Sequence, residues 1–128
     1  MPARTPEEVQ QLFATGFNAG DLDAVMELYE REASLVPQPG QLVTGIDAIR
    51  QALSDLLALF SSQPTFTLEP GKTFEVGDLA LLVSRWSLIG AGSDGNALDL
   101  TGQTTDLVRR QYEGNWLYVL DNPFGVEG

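Results

Sequence analysis

The dominant spacing of apolar residues changes at Pro64. Before Pro64 they recur at helical intervals, and after it apolar and polar residues alternate with a period of two. Helices followed by a run of strands indicate an α+β fold, because a parallel α/β sheet needs the two to alternate. The chain of 128 residues shows no repeat or linker, so we expect one domain spanning residues 1–128.

The first helix is predicted from its start. Thr5 can cap it, Pro6 suits its first position, and Glu8 completes a capping box. Gly20 can adopt the positive φ that ends the helix. One face then carries the apolar residues Val9, Leu12, Phe13 and Phe17.

Asp21 is predicted to cap a second helix, with Leu22, Val25, Met26 and Tyr29 as its apolar residues. We expect Tyr29 to pack this helix on the sheet, with its hydroxyl reaching outward. A short strand over residues 33–36 turns at 37–40 and returns over 41–44. A third helix runs from about Ile46 to Phe60.

The second half predicts strands over residues 65–69, 73–76, 79–89, 97–111 and 116–122. The turn at 113–115 pairs Tyr112 with Trp116, and the hairpin across 90–96 pairs Ile89 with Ala97. A β-bulge would shift this register by one residue and swap the faces. The register gives one face Leu82, Ser84, Trp86, Leu88, Thr104, Asp106, Val108, Tyr118, Leu120 and Asn122.

The opposite face of the predicted sheet is also apolar. One face must cover the helices, and the other is exposed unless something covers it, so we expect a homodimer through the outer sheet face. The alternative is that the chain's own tail or loops cover part of it. The residues on this face are Leu79, Leu81, Val83, Ile89, Leu107, Leu117 and Val119.

Charge and composition narrow the function. The net charge of −11 repels phosphate groups, so neither nucleic acid nor an anionic membrane is an expected partner. Without histidine or cysteine, Ser-His-Asp and Cys-His sites are excluded, and zinc, copper and haem lose their usual ligands. We therefore expect no metal and no cofactor. No apolar run reaches the ~20 residues of a membrane span and the N-terminus has no apolar signal core, so we expect a cytoplasmic protein.

Several short motifs together resemble the nuclear transport factor 2-like superfamily, in its SnoaL-like and ketosteroid isomerase-like branch. They are residues 13–29 with the helix junction over 18–23, the start of the third helix over 44–50, and the last hairpin over 106–122. The resemblance implies a cone-shaped curved antiparallel sheet packed on three N-terminal helices, with an apolar pocket and a dimer through the outer sheet face. It is specific for a fold and not for a function, because this superfamily holds enzymes and binding subunits.

The resemblance also implies which residues surround a ligand. Asp106 and Asn122 would be the polar groups among apolar walls, which is the usual composition of a small-molecule site. The walls would be Phe13, Phe17, Leu56, Phe60, Leu82, Trp86, Val108, Tyr118 and Leu120.

The catalytic set of ketosteroid isomerases is largely missing from this chain. Those enzymes use an Asp base, together with a Tyr and a protonated Asp that hold the oxyanion. The protonated Asp falls on Asp106, but the Tyr falls on Phe13 and the base falls near Pro37, where no carboxylate stands. SnoaL-type cyclases use a pocket Asp with His support, and this chain has no His.

Two interpretations of Asp106 remain open. It is a buried carboxyl with a raised pKa that acts as an acid, a base or a ligand anchor. Alternatively it is structural, paired with Arg109, Arg110 or Asn122 across the hairpin.

Three functions follow from these interpretations. The first is binding of a hydrophobic, cyclic small molecule. The second is a SnoaL-like isomerase, cyclase or hydratase that uses Asp106 with Tyr118 or Asn122. The third is a non-catalytic dimeric interaction module.

Overall fold

The computed structural model of the protein describes residues 2–128 and has the predicted α+β order. Three α-helices pack on a curved, six-stranded sheet that does not close into a barrel. The helices are α1 (Pro6–Asn18), α2 (Leu22–Met26) and α3 (Ile46–Leu57), and a 3-10 helix covers Gly125–Glu127. The strands are β1 (Tyr29–Leu35), β2 (Val43–Thr44), β3 (Thr65–Val76), β4 (Leu79–Ala91), β5 (Ala97–Arg110) and β6 (Trp116–Asp121).

The predicted starts of the first two helices are confirmed. The Thr5 hydroxyl accepts a hydrogen bond from the Glu8 amide at 3.3 Å, and the Glu8 carboxylate accepts one from the Thr5 amide at 3.1 Å. Gly20 has a φ of 70°, and Asp21 caps α2 by accepting from the Ala24 amide at 3.1 Å. Local sequence chemistry therefore sets these helix boundaries.

The prediction for Tyr29 was wrong. Helix α2 ends at Met26, and Tyr29 is the first residue of β1, with its ring buried. The predicted strand over 33–36 was too short because β1 already pairs with β6 at Tyr29 and Tyr118. Helix α3 likewise ends at Leu57, and Phe60 lies beyond it in an isolated bridge to Gly92.

The sheet has the order β2-β1-β6-β5-β4-β3 and is mixed rather than purely antiparallel. Four pairings are antiparallel, but β1 and β6 run parallel because the chain returns beside β1 only after α3 and the strand meander. The two strands predicted around Pro70 and Gly71 are one strand, β3, with an irregularity between Glu69 and Lys72.

Both predicted hairpin registers differ from the structure by two residues. In addition, a β-bulge in β6 shifts the pairing of β5 with β6 by one residue. Ile89 pairs with Asp99, and Arg110 pairs with Trp116. A shift of two residues leaves the faces unchanged. However, Val108 pairs with Tyr118 while Leu107 pairs with Leu120, so one extra β6 residue lies between these pairs. From that point on, the side chains of β6 exchange faces.

None of the helices within residues 2–128 has both the length and the apolar character needed to cross a lipid bilayer.

Candidate functional site

A cavity of about 290 Å³ lies between α1, α3 and the inner face of the sheet. Its walls are mainly aliphatic and aromatic, and its polar side chains include Gln10, Thr104, Asp106 and Asp121. The structure brings six residues of the predicted site to this cavity: Phe13, Phe17, Leu56, Trp86, Asp106 and Tyr118.

Five predicted site residues lie outside the cavity lining. Leu82 and Val108 are fully buried in the core, and Phe60 is buried beside Gly92. Leu120 and Asn122 leave the inner face because of the β6 bulge, which places Asp121 there instead. The Asn122 side chain bonds the Thr105 hydroxyl and the Gly125 carbonyl, at 3.1 and 2.9 Å.

Aromatic rings form one continuous wall of the cavity. The Phe13 ring stacks on Phe17 at 5.6 Å between centroids and meets the edge of Phe66 at 5.3 Å. Phe66 in turn stacks on Trp86 at 6.2 Å. Phe66 was missed by the sequence analysis, although its alternation with Leu68 in the predicted strand over 65–69 could have placed both on the inner face.

Asp106 lies at the polar end of the cavity and is buried, with 3% of its surface exposed. Its carboxyl accepts hydrogen bonds from the Gln10 amide at 2.9 Å, the Thr104 hydroxyl at 2.5 Å and the Asn122 backbone N–H at 3.0 Å. Gln10 is held in turn by the Ser84 hydroxyl, which donates to it at 3.0 Å.

The predicted pairing of Asp106 with an arginine does not occur. Arg109 binds Glu30 at 2.9 Å, and Arg110 binds Asp78 at 2.6 Å, both at the protein surface. Of the predicted partners only Asn122 contacts Asp106, and it does so through its backbone. Asp106 is therefore held by neutral donors.

Asp121 is the polar residue that the sequence analysis did not select. Its carboxyl accepts a hydrogen bond from the Tyr29 hydroxyl at 2.5 Å and lines the cavity next to Asp106, which lies on the neighbouring strand β5. Two buried carboxylates side by side repel each other when both are ionised, so this arrangement favours a proton on one of them. The two residues form a carboxyl pair in which the charge of Asp106 raises the pKa of Asp121.

Burial favours the protonated form of this carboxyl pair. Burial, and next the charge of Asp106, raise the pKa of Asp121 well above its ordinary value. Burial also raises the pKa of Asp106, while the bonds from Thr104, Gln10 and the Asn122 N–H act in the opposite direction. Because Asp106 accepts hydrogen bonds from three neutral donors, its ionised form is stabilised, and we infer that a proton held by the pair lies on Asp121.

Tyr118 completes the polar end of the cavity. Burial, followed by the charges of Asp106 and Asp121, raises the pKa of its hydroxyl well above the ordinary value. Together the pair and Tyr118 offer a carboxylate, a carboxylic acid and a phenol to whatever occupies the cavity. These groups can exchange protons or anchor a ligand by hydrogen bonds.

A curved sheet that holds three helices around an aromatic cavity is the architecture of the nuclear transport factor 2-like superfamily. The sequence pattern of the SnoaL-like domain matches residues 9–118, which is most of the chain. The protein therefore belongs to the SnoaL-like domain family.

Solved structures with low sequence identity share this fold. A proposed aromatic ring hydroxylase from Novosphingobium aromaticivorans superimposes with a TM-score of 0.80 at 21% identity, covering 95% of this chain and 87% of the other. A ketosteroid isomerase-like protein from Erwinia carotovora atroseptica superimposes with a TM-score of 0.78 at 19% sequence identity. The match covers 91% of this chain and 89% of the other. A proposed dehydratase of the nuclear transport factor 2-like family from Streptomyces avermitilis superimposes with a TM-score of 0.75 at 17% sequence identity. The match covers 91% of this chain and 90% of the other. No curated protein matches the sequence.

Proposed function

We propose that this protein binds a small, hydrophobic, cyclic molecule in the cavity. The observation that carries this proposal is an aromatic cavity of about 290 Å³ in which the lining side chains of Gln10 and Thr104 converge on Asp106. Apolar walls provide the affinity and a few convergent polar groups fix the orientation, as in most small-molecule sites.

The volume limits the size of the ligand. A cavity of roughly 150 Å³ is enough for benzene. A cavity about twice as large therefore favours a ligand of one or two rings, with roughly ten non-hydrogen atoms. A four-ring steroid would extend beyond it.

A thermal-shift screen of one- and two-ring compounds tests this proposal. A ligand at about 100 times its dissociation constant stabilises the folded protein by about 2.7 kcal/mol. In the Ala52→Phe variant the new ring fills the cavity, so we expect the stabilisation to disappear. Ala97→Phe places the same ring on the exposed start of β5 and should leave it intact. Equal responses from both variants would contradict binding in the cavity.

The second candidate function is catalysis by a SnoaL-like isomerase, cyclase or hydratase that uses Asp106. The buried carboxyl on the cavity wall, with its raised pKa, favours this function because such groups act as acids or bases near neutral pH. The proposed dehydratase and the isomerase-like protein among the similar structures support it as well. The reaction would differ from that of ketosteroid isomerases, because Phe13, Pro37 and Gln38 supply neither the phenol nor the base.

Asp106→Asn tests this second candidate. We expect turnover of a cavity ligand to fall at least about a hundredfold, because an amide can neither take nor give the proton. The fold should survive, because Gln10 can rotate its amide to face the new one. Circular dichroism checks the fold, and unchanged turnover would remove Asp106 from the mechanism.

We also propose that the outer sheet face forms a homodimer. Phe74, Val76 and Leu81 are 53%, 76% and 38% exposed on this face, and such apolar side chains gain free energy when a second copy covers them. The same surface would serve a non-catalytic interaction module, which is the third function open to this fold.

Leu81→Glu tests the dimer. The charge would lie between the two copies, so we expect the dimer dissociation constant to rise at least about tenfold. Light scattering after gel filtration measures it. Leu42→Glu changes an exposed leucine outside this face and should have no effect. A wild-type monomer at micromolar concentration would refute both the dimer and the interaction module.

A further inference from the structure

The carboxyl pair of Asp106 and Asp121 has no cationic partner within residues 2–128. The basic residues found in ion pairs, Arg50, Arg109 and Arg110, bind Asp23, Glu30 and Asp78 near the surface. The residues that line the cavity include no lysine and no arginine. Buried charges in proteins are normally paired, so this carboxylate lacks the usual compensation.

A buried hydroxyl beside the pair is also without a partner. Tyr118 is only 2% exposed, yet its hydroxyl forms no hydrogen bond within the part of the chain that the structure describes. Every fully enclosed side-chain nitrogen or oxygen in that part does have a partner, so the Tyr118 oxygen opens into the cavity that its residue lines. A hydroxyl oxygen that opens into the cavity and has no protein partner can accept a hydrogen bond from a ligand.

The aromatic wall favours a cation at this end of the cavity. Phe13 meets Tyr118 edge to face at 6.3 Å, and Phe66 and Trp86 continue the wall from there. The negative face of an aromatic ring attracts an ammonium group, most strongly where water is excluded. The net charge of −11 adds a field that draws cations toward the protein.

We propose that the cavity takes a protonated amine carried on a small hydrophobic ring, with the ammonium group between Tyr118 and the carboxyl pair. The ring would occupy the aromatic part of the cavity, and two N–H groups would donate to the Tyr118 oxygen and to Asp121. A carboxylate or phosphate ligand would face Asp106 without any compensating cation. This inference rests on the proposed function and specifies the charge of the ligand.

Binding of an ammonium group would release the proton of the carboxyl pair. The positive charge stabilises the doubly ionised pair, so the proton on Asp121 leaves for solvent. The affinity for the amine should therefore rise with pH until the pair is ionised in the free protein. The other groups that face the pair are Tyr29 from β1, Tyr118 from β6, Gln10 from α1, Thr104 from β5 and the backbone N–H of Asn122. Ser84 from β4 bonds Gln10, and α3 contributes apolar side chains to the cavity.

Four indane derivatives substituted at the same ring carbon form a matched set of probes: aminoindane, indanol, indanone and indane carboxylate. Calorimetric titration of the wild-type protein should give a dissociation constant for the amine at least about tenfold below those of the alcohol and the ketone. The carboxylate should bind most weakly. In buffers of different ionisation enthalpy, the amine should show release of a proton.

Two variants test whether Asp121 and Tyr118 cause the preference for the amine. Asp121→Asn keeps the shape and the bond to Tyr29 but carries no proton to release, so proton release should disappear. Tyr118→Phe keeps the ring and removes the acceptor, so the amine should lose at least about fivefold in affinity while the alcohol and the ketone lose less than the amine.

The outcomes separate the two proposals. If the alcohol or the ketone binds as tightly as the amine, the ammonium site is wrong and the cavity remains a binding site for neutral rings. If the carboxylate binds best, the electrostatic argument is wrong. If none of the four stabilises the protein, the proposed function fails and the ammonium site fails with it.

Discussion

Asp106→Ala is expected to lower the free energy of unfolding by about 2 to 3 kcal/mol, whereas Asp106→Asn should cost less than about 1 kcal/mol. Alanine leaves two buried donors without an acceptor, namely the Gln10 amide and the Asn122 backbone N–H. The Thr104 hydroxyl keeps a hydrogen-bond acceptor in the alanine variant, because it also lies 2.9 Å from the Asn122 carbonyl oxygen. The loss of unfolding free energy in the alanine variant therefore comes from buried donors that no longer have an acceptor.

The asparagine variant keeps the network because two of its neighbours can adapt. The retained amide oxygen accepts from Thr104 and from the Asn122 N–H, and Gln10 rotates to accept from the new NH₂ group. The Ser84 hydroxyl can then accept from Gln10 instead of donating to it. Urea denaturation at neutral pH measures both variants. Equal losses would mean that the charge of Asp106, and not its role as an acceptor, stabilises the fold.

The elements that sequence reasoning identified correctly depend on local chemistry. Thr5, Pro6 and Glu8 form a capping box within four residues, and the period of the apolar residues then assigns the face of α1. Both the capping box and the apolar spacing involve residues that are within one or two helical turns of each other. Phe13 and Phe17 therefore lie on the face of α1 that lines the cavity.

The misplaced residues depend on events that are distant in sequence. Both faces of β6 are apolar, so its alternation does not reveal where the bulge between the pairs of Tyr118 and Leu120 falls. The bulge decides whether Leu120 and Asn122 or Asp121 points inward. The bond between Tyr29 and Asp121 joins residues 92 positions apart through the parallel pairing of β1 and β6, which no local signal predicts.

Gln10 shows a different kind of omission. It lies three residues before Phe13, so helical spacing puts it on the same face of α1. A search for apolar residues passes over it because its side chain is polar. Its burial becomes understandable only when Asp106 and Ser84 are seen on β5 and β4, facing it from the sheet.

Stability should fall between pH 5 and pH 8, and Asp121→Asn should remove most of that fall. Burial raises the pKa of Asp121 well above its ordinary value and raises that of Asp106 as well, whereas an unfolded Asp has a pKa of about 3.9. Above the unfolded value the native state thus binds more protons than the unfolded state. The stabilisation is complete at lower pH and is lost as the pH rises through the native pKa values.

The composition of this chain reduces the number of other groups that could change stability over this pH range. The sequence has no histidine, so no imidazole titrates between pH 5 and pH 8. In Asp121→Asn, the amide oxygen can still accept from Tyr29, and the NH₂ group can donate to the neighbouring Asp106 carboxylate. We expect this variant to be at least about 1 kcal/mol more stable than the wild type at pH 8, because it no longer has to ionise a second buried carboxyl.

Thermal and urea unfolding at several values from pH 5 to pH 8 measure this difference, with Asp99→Asn as the control on an exposed carboxyl. The control should follow the wild-type profile. A wild-type profile that is flat across this range would mean that the carboxyl pair does not hold a proton at neutral pH. That result would also remove the basis for proton release when an amine binds, because no proton would be left on Asp121 to be displaced.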